Sequence, residues 1–261
     1  MLFTKVSISS IIFNEVTCMR LLFIIPVLAS SLYAAVGDDA TAIVRQSQDL
    51  LRGITVHITI TMKIENPDYT RTMQMESWAA GSDKTFILVL APAKEKGNTF
   101  LKVGNDLWQY IRSVDEEIKI MPTMMYQGMM GSEFTYDDMV RENSFADDYT
   151  CTVQEEGGNY WVVQMVPKPG TGITYSYLFY AVRKESYQPV YVAYYDKRGE
   201  IRQLDYSETK SFGGREIPTC WTMSNKRKEG RITTVKVDAA EFDVKLDPSI
   251  FEKANLRRGS R

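Results

Sequence analysis

Ile54-Thr55-Val56-His57-Ile58-Thr59-Ile60-Thr61-Met62-Lys63-Ile64 decides the fold class. Every second residue is apolar and every intervening one is polar. That period of two belongs to a strand with one buried and one wetted face, because successive side chains point to opposite sides of a sheet. Outward from it, further runs of the same kind recur between turn residues. They span 71–79, 85–91, 99–103, 107–112, 149–154, 160–167, 174–183, 189–196, 201–209, 216–224 and 231–239. Gly104-Asn105, Lys197-Arg198-Gly199 and Gly213-Gly214 mark turns between them. Connections this short make neighbours antiparallel. A dozen strands in one meander curl rather than stay flat, so the expected fold is mainly β, a half-open antiparallel barrel with short helices. Before the first strand, Asp38-Asp39 opens a helical pattern through Ile43, Val44, Ser47, Leu50 and Leu51, which Gly53 ends.

The middle of the chain breaks the alternation. From Met121 to Asn143 there is no period of two, and five of the thirteen methionines, Met121, Met124, Met125, Met129 and Met130, fall within its first eleven residues, Met121–Gly131. Thr135 followed by Asp138 is a capping arrangement for a short helix through Met139 and Arg141. Methionine is flexible and polarisable and adapts to apolar partners of varied shape. The segment is either a lid over an apolar cavity or a plug that fills the open end of the barrel as core. Aromatic strand residues leave the same two readings open, core packing or the wall of an acyl-chain pocket. Copper binding by the thioethers is disfavoured, because no Met ladder is sustained and no histidine joins it.

Composition removes several function classes. The 261 residues carry a formal charge of −2, without the basic excess of a nucleic-acid binder. His57 is the single histidine and lies on the polar face of its strand, which leaves no Ser-His-Asp triad and no histidine-rich metal site. The adjacent acids Asp115-Glu116-Glu117, Asp137-Asp138, Asp147-Asp148 and Glu155-Glu156 read as solvated edges rather than acid–base dyads. There is no phosphate loop and no dinucleotide fingerprint. The chain reads as no enzyme, with no catalytic residue, metal or cofactor. A lipid-modifying activity around Ser132 or Asp137 lacks a base.

Residues 19–34 read as a secretory leader. Met19-Arg20 is the basic start, Leu21 to Leu28 the apolar core and Ala29 to Ala34 the small-residue exit. On this reading residues 1–18 are an upstream extension and 35–261 form one domain; the competing reading is a retained N-terminal anchor. Losing Lys5, Arg20 and Glu15 with the leader shifts the formal charge from −2 to −3. In an oxidising compartment Cys151 and Cys220 either pair or remain small apolar strand residues. Lys226-Arg227-Lys228 is a basic turn, solvated or in transient contact with a membrane surface.

Several stretches together carry a family resemblance. They include Trp78-Ala79-Ala80-Gly81-Ser82-Asp83-Lys84, Ala93-Lys94-Glu95-Lys96-Gly97 and Gly104-Asn105-Asp106-Leu107-Trp108-Gln109-Tyr110. They continue through Ile120-Met121-Pro122-Thr123-Met124-Met125 and Met130-Gly131-Ser132-Glu133-Phe134-Thr135-Tyr136-Asp137-Asp138. Tyr195-Asp196-Lys197-Arg198-Gly199-Glu200, Gly214-Arg215-Glu216-Ile217-Pro218-Thr219 and Phe251 near Asn255-Leu256-Arg257 agree. From about residue 40 to 258 the chain resembles the outer-membrane lipoprotein-sorting protein family of the LolA/LolB-like superfamily.

The resemblance implies a half-open barrel whose helical lid covers a hydrophobic cavity. It also implies a periplasmic carrier of lipoprotein or lipid acyl chains, working toward the outer membrane with an ABC or RND-type inner-membrane transporter. The alternative is a sensor or transporter accessory subunit that passes no cargo on. Candidate cavity and lid residues are Trp78, Phe86, Leu88, Trp108, Tyr110, Met121, Met124, Met125, Met129, Met130 and Phe134. Arg71, on an early strand, is a candidate for the arginine that latches the lid.

Overall fold

The computed structural model describes residues 32–141, 144–155 and 158–258, with backbone only for 32–39 and 155. The leader read over 19–34 lies outside the described residues as far as residue 31. Helix α1 (Leu32–Arg52) starts earlier than the Asp38-Asp39 signal and ends, as expected, before Gly53, whose φ of 63° only glycine adopts without strain. Among the described residues no helix is long and apolar enough to cross a membrane.

Among the described residues thirteen antiparallel strands form one sheet. The first six are β1 (Thr55–Glu65), β2 (Thr70–Ala80), β3 (Lys84–Ala91), β4 (Thr99–Val103), β5 (Asp106–Ile111) and β6 (Glu116–Lys119). A second meander holds β7 (Tyr149–Glu155), β8 (Tyr160–Pro167), β9 (Tyr177–Arg183), β10 (Pro189–Asp196), β11 (Gly199–Phe212), β12 (Arg215–Asn225) and β13 (Ile232–Phe242). The two meanders join where β1 pairs with β13, so β6 and β7 become the opposite edges. The sheet is therefore curled but open, the half-open form expected of so long a meander.

One strand escaped the sequence reading. The run Asp115-Glu116-Glu117 is solvated, as read, but Glu116–Lys119 also pairs with β5 from Trp108 to Ile111. It is short and charged, a common way to blunt an exposed sheet edge. Elsewhere β9 begins at Tyr177, so Tyr175, expected on the strand, precedes it.

Because β6 and β7 are consecutive in the chain but lie at opposite edges, their connection must cross the sheet. It does so through 3-10 turns at Pro122–Met124 and Met129–Gly131, then helical turns α2 (Tyr136–Arg141) and α3 (Phe145–Asp148). This crossing segment covers one half of the concave face. Helix α1 covers the other, with Ala40, Ile43 and Val44 packed against Tyr149, Cys151, Met165 and Tyr180. A C-terminal strap, Pro248–Phe251 and α4 (Asn255–Arg258), lies on the convex face, where Thr99 Oγ donates to the Leu256 carbonyl at 2.8 Å.

Cys151 and Cys220 are both buried and both free. Cys151 lies on β7 and Cys220 on β12, with β8 to β11 between them. A disulfide would need Cα atoms within about 7 Å, so the fold selects the unpaired alternative. Burial also raises the Cys151 thiol above its usual range. Both cysteines should resist alkylation in the native protein and react fully once it is denatured. Mass spectrometry of the alkylated protein measures this, and a native bridge would leave both unreactive after denaturation without reductant.

Candidate functional site: the cavity beneath the crossing segment

The cavity lies between the concave face of the sheet and its two covers. It has a volume of about 120 Å³. Its floor comes from both meanders: Ile60 and Met62 on β1, Ile87 on β3, Tyr194 on β10, Leu204 on β11, Met223 on β12 and Val235 on β13. The roof is Gln48 and Leu51 of α1 with Met129, Phe134, Asp138 and Met139 of the crossing segment. Strand periodicity explains the floor, since Ile60 and Met62 belong to the apolar face of β1 and their partners Met75 and Met73 continue it on β2.

The same pairing divides the candidate residues. His57, on the polar face of β1, pairs with Trp78 and stacks on it at 4.9 Å. Trp78 pairs with Phe86, Phe86 with Leu101 and Leu101 with Trp108, while Leu88 pairs with Thr99 and Thr99 with Tyr110. Directly paired residues share a face, so this row lies on the convex side, opposite the cavity. Trp78, Phe86, Leu88, Trp108 and Tyr110 pack with Phe251 and Leu256 of the strap instead. Replacing Trp108 by Leu is therefore expected to cost about 1–2 kcal/mol of stability through lost packing under the strap. Binding of an apolar ligand in the concave-side cavity should be unchanged, measured by thermal melting beside ligand titration.

The crossing-segment candidates divide differently. Met129 and Phe134 line the cavity. Met124, Met125 and Met130 are half-buried against the core that contains Met129, whereas Met121 is exposed. What sequence reading missed is the contribution of α1 and of the second meander. The apolar face of the α1 pattern and the alternation of Arg202, Leu204 and Tyr206 were the available signals.

Local chemistry shapes the roof. A Cβ on Gly128 would lie 2.2 Å from the Ser132 carbonyl oxygen, so only glycine fits this tight loop. Met129 N donates to the Phe134 carbonyl at 2.8 Å and Ser132 Oγ donates to the same oxygen at 3.0 Å. Thr135 N donates to Asp138 Oδ2 at 2.7 Å and Asp138 N to Thr135 Oγ at 3.2 Å, the reciprocal cap expected from their spacing.

Three arginines tie this roof to the sheet. Arg71 on β2 donates to the Met130 carbonyl and pairs with Glu95 at 3.1 Å, so it does meet the crossing segment. Arg231 pairs with Glu133 at 2.6 Å, and Asn225 donates to the same carboxylate at 2.8 Å. Arg202 on β11 makes two 2.6 Å bonds to the two Asp138 carboxylate oxygens. Its guanidinium sits 4.2 Å from the Tyr194 ring centroid and also donates to Tyr175 Oη at 2.6 Å. Arg141 ties α2 to the neighbouring turn by pairing with Asp137 and Asp148 at 2.8 and 2.9 Å. Burial raises the Asp137 carboxyl, with Arg141 opposing the shift.

A family model described as an uncharacterized protein matches residues 81–258. The chain belongs to that family. Its fold is that of the LolA superfamily, as the likeness to three solved structures shows. A DUF1329 family protein from Desulfovibrio piger superposes with a TM-score of 0.76 at 19% identity, over 85% of this chain and 99% of that one. A domain assigned to outer membrane lipoprotein-sorting proteins, from Vibrio parahaemolyticus, gives 0.72 at 21% identity, over 85% and 100%. A LolA superfamily protein from Nitrosomonas europaea gives 0.70 at 20% identity, over 82% and 98%. No curated protein matches the sequence.

Proposed function

We propose that this family member is a periplasmic carrier that holds acyl chains of lipoproteins or lipids between the sheet and the crossing segment. It would deliver them toward the outer membrane, receiving them through an ABC or RND-type transporter in the inner membrane. Residues 35–261 act as the binding domain after the leader at 1–34 is cleaved. The observation that carries this reading is the apolar cavity, roofed by a segment that hangs on side-chain latches rather than on sheet pairing. The names of the similar folds, lipoprotein-sorting and LolA, point the same way.

The dimensions suggest how loading works. An engineered apolar cavity of about 150 Å³ takes up one benzene molecule, so a space of about 120 Å³ is too small for a long chain. The roof must swing out to load. Burying ten methylenes is worth roughly 8 kcal/mol, enough to drive that motion. Reclosure reburies Met129 and Phe134 over the empty floor, so the roof competes with cargo and favours release. No catalytic step is part of this reading.

Native mass spectrometry of protein gently purified from the periplasm, before and after organic extraction, tests it. Extra mass that leaves with the solvent and resolves into acyl-containing species is expected. A clean apo mass that stays unchanged after incubation with lipid vesicles and lipopeptides would overturn the reading.

A further inference from the structure

Arg202 is a strange residue for a lipid cavity. It stands on β11 beside the cavity-floor residue Leu204 and is only 5% exposed. Among the described residues its one carboxylate partner is Asp138, a roof residue that itself lines the cavity. Tyr194, against which the guanidinium packs, lines it too. The Arg202 Nε–H meets no acceptor among the described residues, so the guanidinium has donor capacity to spare. If the roof swings out with α2, Asp138 leaves and the cation stays behind on the rigid sheet. A buried cation stripped of its counter-charge is costly, so opening costs much less when another anion replaces the carboxylate.

We propose that Arg202 is the headgroup site of this carrier, and that its cargo is an anionic amphiphile whose phosphate or carboxylate takes the place of Asp138. The inference rests on the carrier reading above and adds the charge of the cargo to it. A guanidinium presents a planar fork of donors that matches carboxylate and phosphate oxygens, so the exchange keeps the geometry that Asp138 satisfies in the closed form. Tyr175 Oη, at 2.6 Å from Arg202, orients the guanidinium in both states, and the tail lies along Leu204, Met223 and Val235. Roof opening and cargo binding are then one exchange: Asp138 is an internal stand-in for the headgroup, and it returns when cargo leaves.

The experiment compares two single-chain lipids with the same twelve-carbon length, dodecyl phosphate and the uncharged monolauroylglycerol, titrated into delipidated protein below their micellar concentrations. The wild type should bind dodecyl phosphate at least tenfold more tightly. Asp138→Asn removes the internal partner that either lipid must displace, so it should tighten dodecyl phosphate binding fivefold or more while the preference for it is kept. Arg202→Gln should bring the two lipids within twofold of each other, with monolauroylglycerol bound at least as tightly as by the wild type because the roof no longer breaks an ion pair to open. Inorganic phosphate at millimolar concentration should displace neither lipid. Equal affinities in the wild type, or a preference that survives in folded Arg202→Gln, would overturn the inference and leave the carrier reading standing. Binding of neither lipid would overturn both. Displacement by inorganic phosphate would overturn the amphiphile assignment in favour of a free-anion site. Should Arg202→Gln not fold, Asp138→Asn decides, and an affinity for dodecyl phosphate that stays at the wild-type value there counts against the proposal.

Discussion

Replacing Arg202 by Met is expected to lower stability by about 3–5 kcal/mol, the cost of leaving one partner of a buried ion pair alone. For a chain of this size that is a fall in Tm of roughly 10 °C. Asp138 would lose both guanidinium bonds and keep only the bonds it accepts from Thr135. The guanidinium's packing on Tyr194 would go as well, although the Met side chain replaces part of it. The double variant Arg202→Met/Asp138→Leu should recover most of the loss, because an apolar pair of similar volume can substitute for a buried ion pair. A deficit of about 1 kcal/mol should remain from the lost cap of α2. Thermal and denaturant melts of the two single variants and the double variant give the coupling directly. Additive losses would mean that Arg202 and Asp138 do not act as a pair, and the roof would then owe its closure to Arg71 and Arg231.

Much of this architecture was legible because a period of two is a local property. The face of β1 that carries Ile60 and Met62 could be read from eleven residues, and that face is the cavity floor. The Thr135–Asp138 cap was equally local. The placement of the aromatic row was not, although its parity was present in the chain. Trp78 lies on the convex side because the turn at residues 66–69 sets β2 opposite β1 with Trp78 on His57. A shift of one residue would have turned Trp78, and with it Phe86 and Trp108, into the cavity. Register is fixed by the turn and by burial of both faces, and the strap that makes the convex face a second core comes from the far C-terminus.

The latches were hidden for a different reason. Arg202 and Asp138 are 64 residues apart, and each is surrounded by other charges of the same kind. The alternation of Arg202 with Leu204 and Tyr206 signals an arginine on a buried face, which implies an acidic partner without saying which. Strand β6 was missed because charge at a sheet edge resembles charge in a loop.

Filling the cavity should separate stability from binding, since the two effects have opposite signs. Val235 is 3% exposed, lines the floor, and pairs with Met62 on one side and Trp221 on the other. Val235→Phe pushes a ring into space that holds no protein atoms. Cavity filling of this kind commonly adds about 0.5–2 kcal/mol, which raises Tm by roughly 2–6 °C. The same ring occupies the proposed path of an acyl chain, so affinity for a twelve-carbon lipid should fall at least tenfold. A Tm that rises with binding intact would show that the chain lies elsewhere. A Tm that falls would show that the site is already packed and that the ring strains it, as overpacking does. Only a more stable protein that no longer takes up lipid fits a roof that closes over the space its cargo uses. Arg202 and Asp138 are untouched in this variant, so it tests the tail site apart from the headgroup site.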